Sequence, residues 1–176
     1  MKPPRKIPIA KEEKVKKELE RMQNLGVIEP VTEPSEWVSQ FVAADKKGKD
    51  EIRLCIDPSD LNNALKRPHY PSKTIEDVIS RIPEAKVFTV LDAKCGFWHI
   101  PLDETSSAYT TFITPFGRYR FLRMPYGIKT GTEVYQQTID TLFRGLPCKI
   151  IVDDILIWGK DDDDLEAKMK KVLDRA

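Results

Sequence analysis

Three cysteines in 176 residues, Cys55, Cys95 and Cys148, are too few and too scattered to form a disulfide framework. Their odd number, the lack of a C-x-x-C pair and the presence of only His69 and His99 argue against a zinc site and for a reducing compartment. Lone cysteines in strand-like surroundings read as small core residues. No apolar run is long enough to span a bilayer, and residues 1–6 carry charge with no apolar stretch behind them. Neither a membrane partner nor a secretory signal is expected. An excess of one charge is missing too: 29 Lys and Arg against 28 Asp and Glu give a formal net charge of +1, unlike a strongly basic nucleic-acid binder. Residues 65–150 nevertheless hold twelve basic side chains against eight acidic, and residues 151–176 hold five against eight. A basic body beside an acidic centre suits a polyanion site that needs divalent metal, and equally an ordinary surface.

What is present is strongly patterned, on a chain long enough for one core or a main domain with a small lobe. Val15, Leu19 and Met22 recur at helical spacing and predict a helix over 11–25, stopped by Gly26. A Pro-punctuated connection (Pro30, Pro34) leads to a predicted strand over 37–44. A basic turn at 46–50 and an alternating strand over 52–57 complete a hairpin. Pro58, Pro68 and Pro71 mark a loop region. Thr74 and Asp77 fit the cap of a helix starting at Ile75, with Ile75, Val78, Ile79 and Ile82 as its apolar stripe. Residues 87–92 read as a short buried strand ending in Asp92. A polar segment follows Asp103 and Glu104, then a hairpin turning at 115–117, then a helix over about 132–143. Asp161, Asp162, Asp163 and Asp164 open a final helix, where acids complement the positive helix end. Residue pattern and order together indicate the α+β class.

The candidate chemistry lies at Ile150-Ile151-Val152-Asp153-Asp154-Ile155-Leu156-Ile157, two acids between apolar β-branched runs. The flanks predict a hairpin with the acids at its tip. Charge beside a core is costly without a partner, and a divalent cation is the obvious one, although Asp-Asp is also good turn chemistry. Asp92, at the end of another predicted strand, is the candidate third carboxylate or else merely a turn residue. Three convergent carboxylates would hold two Mg²⁺ ions roughly 4 Å apart, the arrangement for in-line phosphoryl transfer.

Longer motifs join these acids. They are Leu91-Asp92-Ala93-Lys94-Cys95-Gly96-Phe97-Trp98-His99-Ile100-Pro101-Leu102-Asp103-Glu104, then residues 111–121 (Thr-Phe-Ile-Thr-Pro-Phe-Gly-Arg-Tyr-Arg-Phe), Met124-Pro125-Tyr126-Gly127-Ile128 and Val152-Asp153-Asp154. Upstream stand Arg53-Leu54-Cys55-Ile56-Asp57 and Leu61-Asn62. In this order, from about residue 6 onward, the chain resembles the fingers and palm of a reverse transcriptase from an LTR retrotransposon of the gypsy (Ty3) type.

That resemblance implies an RNA-directed DNA polymerase with an antiparallel palm sheet backed by helices and a mixed fingers lobe. Fingers are expected at about 1–72 and 101–124, and palm at 73–100 and 125–176, with thumb, connection and RNase H absent. Asp92, Asp153 and Asp154 would be catalytic and bind two Mg²⁺ ions, with Mn²⁺ as a substitute, and the Ala93 carbonyl would add an oxygen. Lys46 and Arg53 would clamp the dNTP triphosphate. Phe97 would exclude a 2′-OH, and Ala93, Tyr126 and Gly127 would line the nucleotide. Ile151, Val152, Arg118 and Lys129 would meet the nucleic acid. Expected partners are an RNA or DNA template with its primer, dNTPs and the rest of a Pol polyprotein, in the cytoplasm within a virus-like particle. Three positions depart from the family pattern: Ile151 replaces an aromatic, Thr130-Gly131-Thr132 replaces a Ser-Pro or Ala-Pro helix start, and Ser59 replaces an Arg. The rival expectations are a truncated or domesticated non-catalytic remnant, and a two-metal nuclease using the same acids.

Overall fold

The computed structural model describes residues 5, 7–46, 48, 50–70 and 85–176. The helix expected from Ile75 lies outside the described residues. Contacts divide the chain into two compact units, Met1–Lys66 with Phe97–Gly131, and Arg67–Gly96 with Thr132–Ala176.

In the first unit, helix α1 (Ile9–Asn24) buries Val15, Leu19 and Met22, the stripe its spacing demands. It seats on a five-stranded mixed sheet in the order β1-β6-β5-β2-β3. The strands are β1 (Ile28–Pro30), β2 (Ser39–Asp45), β3 (Ile52–Asp57), β5 (Phe112–Thr114) and β6 (Gly117–Phe121). The β2–β3 hairpin is antiparallel, with Phe41 opposite Ile56 and Ala44 opposite Arg53; β2 and β5 run parallel. Period-two alternation buries Ile52, Leu54 and Ile56 and turns Arg53 outward. Phe41, Phe112 and Phe121 close the core under α1.

Two segments differ from the sequence expectation. The proline-marked stretch expected as loop contains helix α2 (Ser59–Ala64) directly after Pro58. A proline just ahead of a helix costs nothing, because the first N–H groups have no intrahelical partner. The polar segment after Asp103 is helix α3 (Glu104–Tyr109), where the Asp103 carboxylate accepts from Ser106 N–H at 2.9 Å. An N-cap of this kind starts a short helix without an apolar stripe.

The second unit is built on an antiparallel sheet in the order β4-β8-β7: β4 (Val87–Asp92), β8 (Asp154–Gly159) and β7 (Cys148–Ile151). Helix α4 (Gly131–Leu142) precedes β7. Helix α5 (Asp162–Leu173), capped by Asp161, packs on β8 and β4. Ile139, Phe143, Cys148, Ile150, Ile155, Ile157 and Val172 are buried. Strand β4 is not the buried strand that its apolar run suggested: Phe88 and Val90 are 52% and 58% exposed. A short apolar run does not reveal how many of its faces are covered, and this edge strand leaves one open. Asp92 stands on that open face, in line with Val90 and Phe88. Among the described residues no helix is long and apolar enough to cross a membrane.

Candidate active site

The second unit brings the three acids together through sheet register. Asp92, the last residue of β4, is paired directly with Asp154, the first of β8, which is paired in turn with Ile151 on β7. Opposed residues in an antiparallel pair share a face with Cβ atoms about 4.5–5.5 Å apart. Asp153 precedes Asp154 in the β7–β8 turn. Its carbonyl accepts from Ala93 N–H at 2.8 Å, which fastens the end of β4 to the turn. The Ala93 carbonyl accepts from Gly96 N–H at 3.1 Å and keeps a second lone pair.

Asp153 is the most constrained of the three. Its Oδ1 is buried and has no hydrogen-bond partner among the described residues. Burial pushes the carboxyl above the ordinary carboxylate value, and the charges of Asp92 and Asp154 push it the same way. Gly96 makes room for it. A Cβ at that position would lie 2.5 Å from Tyr135 Oη and 2.6 Å from Asp153 Oδ1. The Tyr135 hydroxyl, on a side chain that is 1% exposed, is pushed up to about 12 by burial first and by Asp153 and Asp92 next.

The turn is held from α4. Val152 N–H donates to Gln136 Oε1 at 2.9 Å, and Gln136 Nε2 donates to Ile150 C=O at 3.1 Å. Val152 sits at φ +54, where a β-branched residue is a genuine outlier, so the clamp holds a strained tip. Sequence reasoning missed Gly96, Tyr135 and Gln136. A signal existed for the helix residues: Glu133, Gln136 and Asp140, spaced three and four apart, put polar groups on the stripe that also carries Ile139 and Phe143.

The donor set suits a hard divalent cation. It is all oxygen, includes a buried carboxylate oxygen with no hydrogen-bond partner among the described residues, and gathers three like charges. No three His, Cys, Asp or Glu side chains among the described residues are drawn into a ready cage. Mg²⁺ needs no such cage, because waters and substrate phosphates complete its shell.

The first unit holds the remaining expected residues. Lys46 Nζ is engaged by Glu51 at 2.7 Å. Arg53 projects from β3, exposed and with no side-chain partner among the described residues. Phe97 packs edge-on against Tyr126 with ring centroids 5.0 Å apart. Asn62, which received no role from sequence beyond motif membership, pins the loop after Tyr126. Its Nδ2 donates to Gly127 C=O at 2.9 Å, and its Oδ1 accepts from Lys129 N–H at 2.8 Å. Lys129 Nζ donates to the Asn62 carbonyl, and the Arg118 guanidinium donates to the Thr32 carbonyl.

Residues 44–176 match the family model described as reverse transcriptase (RNA-dependent DNA polymerase). The chain is 33% identical over 174 residues to an uncharacterized Caenorhabditis elegans protein, covering 97% of this chain and 14% of that one. It is 31% identical to the retrovirus-related Pol polyprotein from transposon gypsy of Drosophila melanogaster, covering 90% and 16%. The fold is that of the prototype foamy virus protease–reverse transcriptase, with a TM-score of 0.86 at 19% identity over 99% of this chain and 23% of that one. The chain thus spans about a seventh of the length of these two curated relatives. With its acids set in register at the ends of paired strands, the chain belongs to the reverse transcriptase family.

Proposed function

We propose that the domain catalyses RNA-directed DNA synthesis, joining dNTPs to a primer 3′-OH on an RNA or DNA template. The observation that carries this reading is the pairing of Asp92 with Asp154 beside the unsatisfied carboxylate of Asp153. Asp92, Asp153, Asp154 and the Ala93 carbonyl would hold two Mg²⁺ ions, with Mn²⁺ as a substitute. Bound there, such ions supply Lewis-acid polarisation of a phosphoryl oxygen and neutralise developing charge. The protein's share is preorganisation. The Ala93–Asp153 bond fastens the end of β4 to the β7–β8 turn and the Gln136 clamp holds that turn, so the three acids keep one arrangement in which displacement by an ångström is costly.

The first unit is read as fingers and the second as palm, near the boundaries the sequence suggested. Arg53 offers a fork that matches phosphate oxygens bidentately, and Lys46 adds a point charge once it exchanges Glu51 for substrate. Phe97, held by Tyr126, would exclude a 2′-OH; Tyr126, Gly127 and Ala93 would border the nucleotide. Arg118, Lys129, Ile151 and Val152 are assigned to the template and primer. Nucleic acid as partner is supported by the foamy viral relatives, solved with an RNA/DNA hybrid and with double-stranded DNA. The rest of a Pol polyprotein and a cytoplasmic virus-like particle complete the proposed setting.

The test is primer extension by a polypeptide extended to the length of its relatives. Asp153→Asn should reduce extension by more than about a hundredfold, beyond the cost of altering a group that only supports a metal ligand. Undiminished extension would remove the metal assignment.

A further inference from the structure

The second unit contains a cavity of about 300 Å³ whose lining includes none of the three acids, bordered by Tyr70, Asp140, Phe143, Arg144, Leu146 and Lys149. That volume is at the lower end of small-molecule sites. Its described lining residues are cationic in balance, with Arg144 and Lys149 against Asp140. Arg144 and Lys149 make no side-chain hydrogen bond or ion pair with any other residue, among the described residues. The Lys149 ammonium is close enough to oppose the upward push of burial on the neighbouring Cys148 thiol. Asp140, the one carboxylate among its described lining residues, is already committed: Oδ2 accepts from Tyr70 Oη at 2.9 Å and Oδ1 from Gln136 Nε2 at 3.1 Å. Phe143 and Leu146 supply apolar surface.

The same hydrogen bonds lead out of the cavity. Gln136 Nε2 divides its donors between Asp140 Oδ1 and Ile150 C=O, and its Oε1 holds Val152 N–H in the turn before Asp153. Tyr70, Asp140, Gln136 and Val152 thus form one continuous chain from the cavity wall to the strained tip. Ile150 belongs to both, lining the cavity and accepting from Gln136.

We propose that this cavity binds a small aromatic phosphate, its anionic end at Arg144 and Lys149, and that occupancy shifts the Tyr70–Asp140–Gln136 chain and with it Val152. Binding and relay do not depend on the polymerase reading; only the consequence for synthesis does. A ligand that alters the Tyr70–Asp140 bond changes how Gln136 is shared between Asp140 and the turn, because each of its atoms is engaged.

Phenyl phosphate is the probe, added to the 176-residue protein in EDTA so that no divalent cation recruits it to the acids. Two-dimensional NMR should show saturable shifts at the Gly145 and Lys149 amides, and parallel shifts at the Gln136 side-chain amide and the Val152 amide. Arg144→Glu with Lys149→Glu should weaken binding at least about tenfold, since each reversal replaces attraction with repulsion. If that pair fails to fold, Lys149→Met should weaken it several-fold. Affinity unchanged in these variants, shifts confined to Lys46 and Arg53, or the absence of saturation would overturn the site. Saturable cavity shifts with Val152 unmoved would overturn the relay. Primer extension is not read, so failure here leaves the polymerase proposal untouched, and loss of that proposal leaves the site standing.

Discussion

Asp153 has a buried oxygen without a partner and two like charges beside it, and its carboxyl titrates above the ordinary value of 3.8. The folded state therefore holds this proton more tightly than the unfolded chain does. Its contribution to stability is complete below the unfolded value and is lost as pH rises through the raised folded one. Above that raised value the metal-free protein carries the ionised group as a burden. Asp153→Asn should then stabilise the metal-free fold at pH 7 by about 1 kcal/mol, within the range of single stabilising changes. The gain should shrink toward pH 4. Urea denaturation in EDTA at both pH values measures it, and an equal gain at each would remove charge as the cause. Gly96 is the second residue-scale case. A Cβ there meets Tyr135 Oη and Asp153 Oδ1 well inside normal contact, and the Tyr135 ring is packed too tightly to yield. Gly96→Ala should cost about 1–3 kcal/mol, an overpacking value. Tyr135→Phe in the same chain should return part of it, and a thermal double-mutant cycle reads the coupling.

Among the elements, the β7–β8 hairpin was the most legible, because apolar β-branched runs flanking two acids specify strand, turn and strand. Its support was not. Gln136 reads in sequence as one polar residue of an amphipathic helix, and only the packing of α4 beside β7 shows that both ends of its amide are used. Gln136→Leu should leave Val152 N–H and Ile150 C=O without their partners and release the strained tip. The expected loss is about 1–3 kcal/mol per unsatisfied buried group. Urea denaturation, with faster hydrogen exchange at the Val152 amide, checks it; unchanged exchange would mean that the strand pairing alone holds the turn. Helices α2 and α3 were missed because proline and polar residues signal loops, yet a proline before the first turn and an Asp cap are also how short helices begin.

Across the whole molecule, the proposed labour is divided: the acids belong to one unit, and Phe97, Tyr126 and Arg53 to the other. Sugar selection should therefore be separable from the chemistry. Phe97→Val, which removes the ring packed on Tyr126, should raise incorporation of rNTP relative to dNTP by about tenfold or more with Asp92, Asp153 and Asp154 unchanged. Competition assays in a polypeptide of the relatives' length measure this ratio, and a constant ratio would exclude the gate.

The sequence by itself determined the elements whose signals are local: the α1 stripe, the alternation of β3, the acidic hairpin and the acid-capped α5. It also determined which acids are available, since charge beside an apolar run has few tolerable explanations. Only the tertiary structure decided that Asp92 opposes Asp154, that Gly96 clears space for Asp153 and that Gln136 clamps the turn. Register, close approach and the sharing of hydrogen bonds are relations between segments distant in the chain, and composition and periodicity carry no record of them.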